Sequence, residues 1–512
     1  MKGYRNCVLW VNLSTGTIIK KSLNRSYIEK FIGGEGYGSA LLWYEVPYTT
    51  HAFSPRNILS FNTGPLTGVL ANSSSTSVVF LSPLSNWTGA SDIDGQLGTS
   101  LKHAGYDSLV IEGASETPTY LYIDNDIVEL RDASRIWGKN TIETMDTIKS
   151  ETGDDFKIAC IGQAGERLSR LACILTDEGS FARAGSGSVM GCKKLKAIAL
   201  KGYKGKTSGP KISFKNDFVP FDIKHGVISA LKNKYDIDLS KDISIAAHYT
   251  EIYGIDPILT FATISEAVKW YNKGIISTKD TGGIEFRYEN ADAMLDIIKK
   301  IGLREGSGET FADGLYYAAL KLGLDCNFGQ IGNNILDMVL DTPEGGNYHI
   351  GSNAISSEIF NCLTSEFGPE TSENRTGKLL KAMREYHMLL NMLGISSASM
   401  IKNNVTPDDI TELYSSGTGI NIDKSELFEK PERVLSLQRA LNYKKGFNRK
   451  NDYIPCTFLK TLSYFRPEYK TSLCTDRALT SFYEACCYDE NKAIPKPSKF
   501  LELGMDDMLD EL

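Results

Sequence analysis

A chain of 512 residues, 41% hydrophobic and 23% charged, has the composition of a globular protein, and disordered, collagen-like and coiled-coil classes are excluded. Lysine and arginine number 56 against 63 aspartates and glutamates, a net charge of −7 with no basic block. That balance argues against general nucleic-acid binding, which needs clustered cations to displace phosphate counterions.

At roughly 150 residues per domain, the length predicts three or four domains with ample buried core. No apolar run approaches the ~18 residues that span a bilayer, and the start shows no signal-peptide core, so the expected location is cytoplasmic, without membrane contact.

From the start to about residue 205 the chain reads as strands. Asn57-Ile-Leu-Ser-Phe, Ser77-Val-Val-Phe-Leu, Ser108-Leu-Val-Ile-Glu, Thr119-Tyr-Leu-Tyr-Ile, Ile127-Val-Glu-Leu, Lys157-Ile-Ala-Cys-Ile and Ala197-Ile-Ala-Leu are short β-branched or aromatic runs. Gly, Pro, Asn or Asp bounds most of them, and Asp124-Asn-Asp is a hairpin turn by its composition. A helix is expected from Thr141, with Glu143 in its first turn. Lys201-Gly-Tyr-Lys-Gly-Lys-Thr-Ser-Gly-Pro is a linker, and beyond it the apolar period becomes 3.6. Met294, Ile297, Ile298 and Ile301 share one helical face; Leu379, Met383, Tyr386 and Leu390 share another. The domains are expected at 1–208, 209–395 and 396–512. No internal repeat is visible.

The ten cysteines (Cys7, Cys160, Cys173, Cys192, Cys326, Cys362, Cys456, Cys474, Cys486 and Cys487) form no C-x-x-C pair. Zinc-ribbon, ferredoxin-type and thioredoxin motifs are therefore missing from the sequence. The six histidines are equally scattered, with no H-E-x-x-H helix.

Three motifs stand out. Gly33-Gly-Glu-Gly-Tyr-Gly lacks G-x-G-x-x-G spacing and a helix signal after it; it reads as a tight turn that brings backbone close to another segment. Arg183-Ala-Gly-Ser-Gly can bind an anion through backbone N–H groups and a guanidinium, or can equally be a glycine-rich loop packed under the next strand. Glu251-Ile-Tyr-Gly-Ile-Asp256 and Asn391-Met-Leu-Gly-Ile-Ser396 each read as a helix ending at a left-handed glycine, and their flanking polar groups could reach a ligand.

These motifs occur together with Phe31-Ile-Gly-Gly, Thr63-Gly-Pro-Leu-Thr-Gly, Ser82-Pro-Leu, Ala104-Gly-Tyr-Asp, Ile161-Gly-Gln-Ala-Gly-Glu, Val189-Met-Gly-Cys-Lys-Lys-Leu-Lys-Ala-Ile, Gly446-Phe-Asn-Arg-Lys-Asn-Asp and the tail from Pro495. In that order they make the chain resemble, end to end, the aldehyde ferredoxin oxidoreductase family. The resemblance implies an α+β architecture, a β-rich first domain followed by two mainly helical ones. It also implies a tungsten- or molybdenum-bis-pterin beside a [4Fe-4S] cluster, and oxidation of aldehydes. Under it, Arg183, Ala184 and Gly185 face a pterin phosphate and Asp92, Asp94 and Gly95 supply a second contact. Glu251, Gly254 and Asp256, with Asn391, Gly394 and Ser396, become degenerate versions of the two pterin-binding motifs.

The departures from the family pattern are as informative. The C-x-x-C-x-x-x-C run expected between the linker and the first motif has no counterpart, because residues 211–250 contain no cysteine; the fourth ligand position is Ser396. A serine hydroxyl is a poor substitute for a thiolate, so the cluster is expected to be absent. Ser75 and Glu35 replace two family arginines, and Glu35 would repel a phosphate if it faced one. The family's proton-relay acid has no counterpart, and Glu358 aligns with its histidine partner as the catalytic candidate. Two functions follow as expectations: a diverged oxidoreductase acting on a small-molecule substrate, or a non-catalytic homologue serving as subunit or regulator of a cluster-bearing relative. A homodimer or a pairing with such a relative would fit either.

Overall fold

The computed structural model describes residues 2–69, 74–203, 242–286, 291–324, 372–396, 400, 405–452 and 476–512. The first two hundred residues build two six-stranded sheets. The first contains β1 (Cys7–Asn12), β2 (Thr17–Ser22), β3 (Leu59–Thr63), β4 (Ser75–Leu81), β5 (Thr88–Asp94) and β6 (Ser108–Glu112), in the order β2-β1-β6-β3-β4-β5. The second contains β7 (Thr119–Asp124), β8 (Ile127–Asp132), β9 (Lys157–Cys160), β10 (Ile174–Thr176), β11 (Phe181–Ala182) and β12 (Leu195–Lys201), in the order β8-β7-β12-β9-β10-β11.

Adding six to each strand number of the first sheet gives the second. The pairings agree too: β1 with β6 and β7 with β12 are the parallel pairs, and every other neighbouring pair is antiparallel. The expectation of no internal repeat is overturned. The repeat lies in topology and hydrogen bonding, which many side chains can satisfy, so residue identity does not reveal it. In both halves a helix follows the edge strand: α1 (Gln96–Ala104) after β5 and α2 (Ser186–Cys192) after β11.

Period-2 alternation explains the layers. On β1, Leu9 and Val11 enter the core between the sheets, whereas Val8 and Trp10 face outward helices; on β4, Val78 and Phe80 divide from Val79 and Leu81 in the same way. Ile198 and Leu200 of β12 join the shared core while Ala197 and Ala199 face α3 (Thr141–Thr152). That helix starts as expected, with Asn140 and Glu143 closing a capping box.

The glycine-rich turn at Gly33 is followed by a helix after all, α4 (Gly34–Glu45), buried along most of its length. Three glycines in four positions hide its helical signal, and tertiary packing overrides their poor propensity. Around the sheets lie α5 (Asp242–Tyr253), α6 (Pro257–Asn272), α7 (Ala291–Leu303), α8 (Ser372–Leu393), α9 (Pro407–Thr418) and α10 (Lys424–Lys444). Met294, Ile297, Ile298 and Ile301 are buried on α7 as their spacing requires. Helices α5, α6 and α7 share a core with Leu171 and Ala172 beside the second sheet; α8, α9 and α10 share one with α4 over the first. No helix among the described residues is long and apolar enough to cross a membrane.

Candidate functional site

The two short motifs end helices, and each is stitched to one sheet by the same bonds. Helix α5 stops at Gly254, at φ +67°. Its N–H donates to the Glu251 carbonyl at 3.1 Å, and that of Ile255 donates to the Thr250 carbonyl at 3.0 Å. Ile255 then bridges Ala172, with the Cys173 N–H donating to the Gly254 carbonyl at 2.9 Å. Helix α8 stops at Gly394, at φ +73°, where Gly394 and Ile395 donate to Asn391 and Leu390 at 3.2 and 3.1 Å. Ile395 bridges Ser74, and the Ser75 N–H donates to the Gly394 carbonyl at 3.1 Å. Glycine is required at both stops by the left-handed backbone and by crowding. A Cβ on Gly394 would stand 2.0 Å from Thr67 Oγ1, and one on Gly254 2.7 Å from the Gly162 nitrogen.

Each motif then delivers one polar side chain to the residue at or just after an edge strand. Asp256 caps α6, its Oδ1 accepting from the Leu259 N–H at 3.0 Å, while its Oδ2 accepts from Arg183 Nε at 2.8 Å. Both partners are buried. In the other half Ser396 Oγ donates to Asp94 Oδ2 at 2.7 Å. Burial pushes the Asp94 carboxyl up to about 6, against the pull of that hydroxyl.

The structure thus brings Arg183 to Asp256 and Asp94 to Ser396. Asp92 accepts from Ser77 Oγ at 2.7 Å. Glu251 lies beside His248 at 3.6 Å, and its carbonyl accepts from Thr141 Oγ1 at 2.7 Å. Asn391 Nδ2 donates to Glu35 Oε2 at 2.9 Å, and Gln438 Nε2 donates to Glu35 Oε1 at 2.8 Å. Glu35 therefore ties α4 to α8 and α10, and burial raises its carboxyl pKa. The glycine-rich turn makes the close approach expected of it: a Cβ on Gly34 would be 1.9 Å from the Asn391 carbonyl oxygen. Glu358 lies outside the described residues.

The Arg183 loop carries a second feature. Ala184 and Gly185 are consecutive positive-φ residues, at +57° and +81°, and both are buried. Among the described residues neither backbone N–H donates to an acceptor, although the next three amides bond to Arg183, Ala172 and Gly185. Adjacent buried N–H groups without acceptors beside a guanidinium suit an anionic group such as a phosphate. That donor set fits the phosphate of a pterin cofactor. Burial pushes the thiols of Cys160 and Cys192 up to about 12 and about 11, and among the described residues no three His, Cys, Asp or Glu side chains form a metal-holding group.

A model of the aldehyde ferredoxin oxidoreductase N-terminal domain matches residues 8–202, and a model of domains 2 and 3 of that enzyme matches residues 183–505. The chain belongs to the aldehyde ferredoxin oxidoreductase family. Among family members, the tungsten-containing aldehyde ferredoxin oxidoreductase of Pyrococcus furiosus is 28% identical over 97% of this chain and 98% of its own length. The enzyme of the same description from Pyrococcus horikoshii is 27% identical, covering 99% of this chain and 100% of its own. An aliphatic sulfonate oxidoreductase, WOR-like subunit, of Pyrococcus furiosus is 26% identical over 99% of this chain and 97% of the relative. The fold matches a solved chain of the active site complex BamBC of benzoyl coenzyme A reductase in complex with 1,5 dienoyl-CoA. There the TM-score is 0.81 at 22% identity, covering 100% of this chain and 98% of that one. The family's β-rich start and helical continuation are both present.

Proposed function

We infer that this chain is an oxidoreductase of the family that keeps a pterin pocket between its two sheets and the ends of α5 and α8, and holds no [4Fe-4S] cluster. The observation that carries the pocket is the pair of N–H groups of Ala184 and Gly185, which meet no acceptor among the described residues, beside Arg183. In this reading Ala184, Gly185 and Arg183 hold a phosphate, while Asp256, Asp94 and Ser396 orient polar edges of the ring system. When bound, a tungsten- or molybdenum-pterin would supply two-electron oxidation at a carbonyl carbon. The residues' own work is to fix its orientation and keep its charged end out of water.

Loss of the cluster is supported by the whole sequence, which has no C-x-x-C, and by the 612-residue alignment with the Pyrococcus horikoshii enzyme, longer than this chain itself. The relatives therefore carry segments that this chain lacks. Without a cluster, electrons would leave through an external acceptor.

A second reading, a non-catalytic subunit of a cluster-bearing relative, is favoured by the buried Arg183–Asp256 pair, which occupies two groups a cofactor would use. Elemental analysis of the purified protein for tungsten, molybdenum and iron, with pterin fluorescence after oxidative release, decides between them. Pterin with metal and without iron supports the first. A metal- and pterin-free protein that co-purifies with a cluster-bearing homologue supports the second, and four irons per chain would overturn the cluster-free assignment.

A further inference from the structure

Two largely buried carboxylates share one lysine where α8 meets α10. On α8, Lys381 Nζ lies 2.6 Å from Glu385 Oε1, one turn further along, and 3.1 Å from Glu432 Oε1 of α10. Glu432 Oε1 is also 3.0 Å from Lys499 Nζ, on the helix Pro497–Glu502, and Lys499 in turn reaches the exposed Glu502 at 2.8 Å.

The groups that face this cluster come from α8 and from the chain that follows the helix Asp476–Ala485. Arg384 of α8 has its guanidinium 5.5 Å from the centre of the Phe482 ring, and its Nε meets no acceptor among the described residues. Cys486 and Tyr488 close the other side. Lys381, Arg384, Glu385, Glu432, Cys486 and Tyr488 border a cavity of about 10 Å³, the size that admits one water, so a proton can reach Glu385 without unfolding.

The placement of charge decides which state holds the helices together. With Glu385 ionised, Lys381 is divided between a partner on its own helix and one on α10, and two carboxylates repel each other across the seam. The pair within α8 has the weaker polarity, lysine preceding glutamate. With Glu385 protonated, the whole ammonium belongs to Glu432 and the contact between helices. Burial pushes the Glu385 carboxyl up to about 7 against the pull of Lys381, and Glu432 adds to the rise. Burial opposes the charge on Lys381 as well, but the two carboxylates outweigh it and hold the ammonium above its ordinary value. Burial pushes the Cys486 thiol up to about 12 and the Tyr488 hydroxyl higher still, and pushes His387 of α8 down to about 4. None of those three changes charge near neutrality.

We propose that Lys381, Glu385, Glu432 and Lys499 form a pH-sensitive tie, which binds α8 firmly to α10 while Glu385 is protonated and slackens when Glu385 ionises. The tie lies less than two turns before Asn391 on α8, the helix whose end carries Gly394 and Ser396 to the first sheet. The native state holds the Glu385 proton more tightly than the unfolded chain does. Its contribution to stability is therefore complete below about pH 4 and is lost as the pH rises through about 7. The hold on the motif from Asn391 to Ser396 loosens over the same range, whatever ligand that motif serves.

Hydrogen exchange of the full-length protein, corrected for the intrinsic pH dependence of exchange, tests this at about pH 5.5 and about pH 8.5. In peptides covering residues 378–393, opening should increase between the two by roughly tenfold or more in the parent. Glu385→Gln keeps the volume and carries no charge at either pH, so it should remove most of that rise. Glu432→Gln leaves Lys381 to Glu385 alone, so the rise should begin at lower pH; it carries the test if Glu385→Gln does not fold. Asp94→Asn should leave the rise in place, which separates the tie from the carboxyl beside Ser396. A flat parent, a Glu385→Gln variant that keeps the rise, a Glu432→Gln variant with an unshifted one, or a rise that vanishes in Asp94→Asn would overturn the proposal. Pterin or metal content does not enter the readout, so the outcome is independent of the functional reading.

Discussion

Replacing Arg183 by Met removes the cation from Asp256 and leaves a carboxylate that is 1% exposed. Breaking one side of a buried ion pair costs about 3–5 kcal/mol, because the remaining charge stays out of water. Asp256 retains one donor, the Leu259 N–H at 3.0 Å, which places the loss at the lower end, ~3 kcal/mol. A chain of this size does not unfold in one step, so the local opening of the Gly254–Leu259 segment is the quantity to measure. At 1.4 kcal/mol per tenfold, hydrogen exchange of a peptide covering residues 250–262 should accelerate roughly 100-fold in Arg183→Met. Asp256→Asn keeps the cap, since asparagine caps as well as aspartate. In the double variant no charge is left buried, so exchange should return most of the way to the parent rate. An acceleration under about tenfold in Arg183→Met, or strictly additive effects in the double variant, would refute the account of this pair as the tie between the second sheet and α6.

Gly394→Ala should destabilise by upwards of ~2 kcal/mol, since φ is +73° and the new Cβ meets Thr67 Oγ1 at 2.0 Å; faster exchange at residues 388–396 checks it, and an unchanged rate contradicts the crowding. Glu35→Gln leaves one oxygen to accept from both Asn391 and Gln438, so α4 and α8 should loosen by about 1–2 kcal/mol, read as faster exchange in both helices. The Asp94 carboxyl is held up to about 6 in the native state, above its ordinary value near 4. The unfolded chain therefore loses this proton first as pH rises. The contribution to stability is present in acid and is lost between about pH 4 and pH 6. Asp94→Asn should flatten the pH dependence of exchange around β5 across that window, and an unchanged slope would show that Asp94 does not titrate there.

Much of this protein was written locally. Strands near 57–61, 77–81, 108–112, 119–123, 127–130, 157–160 and 197–200 are β-branched runs bounded by turn residues, and all of them form. Asn140 and Glu143 state their helix start outright, and Met294, Ile297, Ile298 and Ile301 bury the face their spacing describes. Gly254 and Gly394 end helices because each sits in the left-handed backbone of a helix cap, and a Cβ there would crowd neighbouring backbone or side-chain atoms. Arg183 and Asp256 were legible as polar residues flanking glycines, and their family resemblance marked them together.

What the tertiary structure decided depends on residues far apart in the chain. Strands β2 and β5, and helix α4, carry polar, charged or glycine-rich stretches whose local signal is weak; pairing with distant strands and burial against α8 and α10 settle them. The pairing of Arg183 with Asp256, and of Asp94 with Ser396, spans 73 and 302 positions, so no window of sequence contains both partners. The repeat of the two sheets exists in hydrogen-bond topology alone. Side-chain periodicity encodes which face of a strand is buried; which strand lies beside it is set by packing in three dimensions.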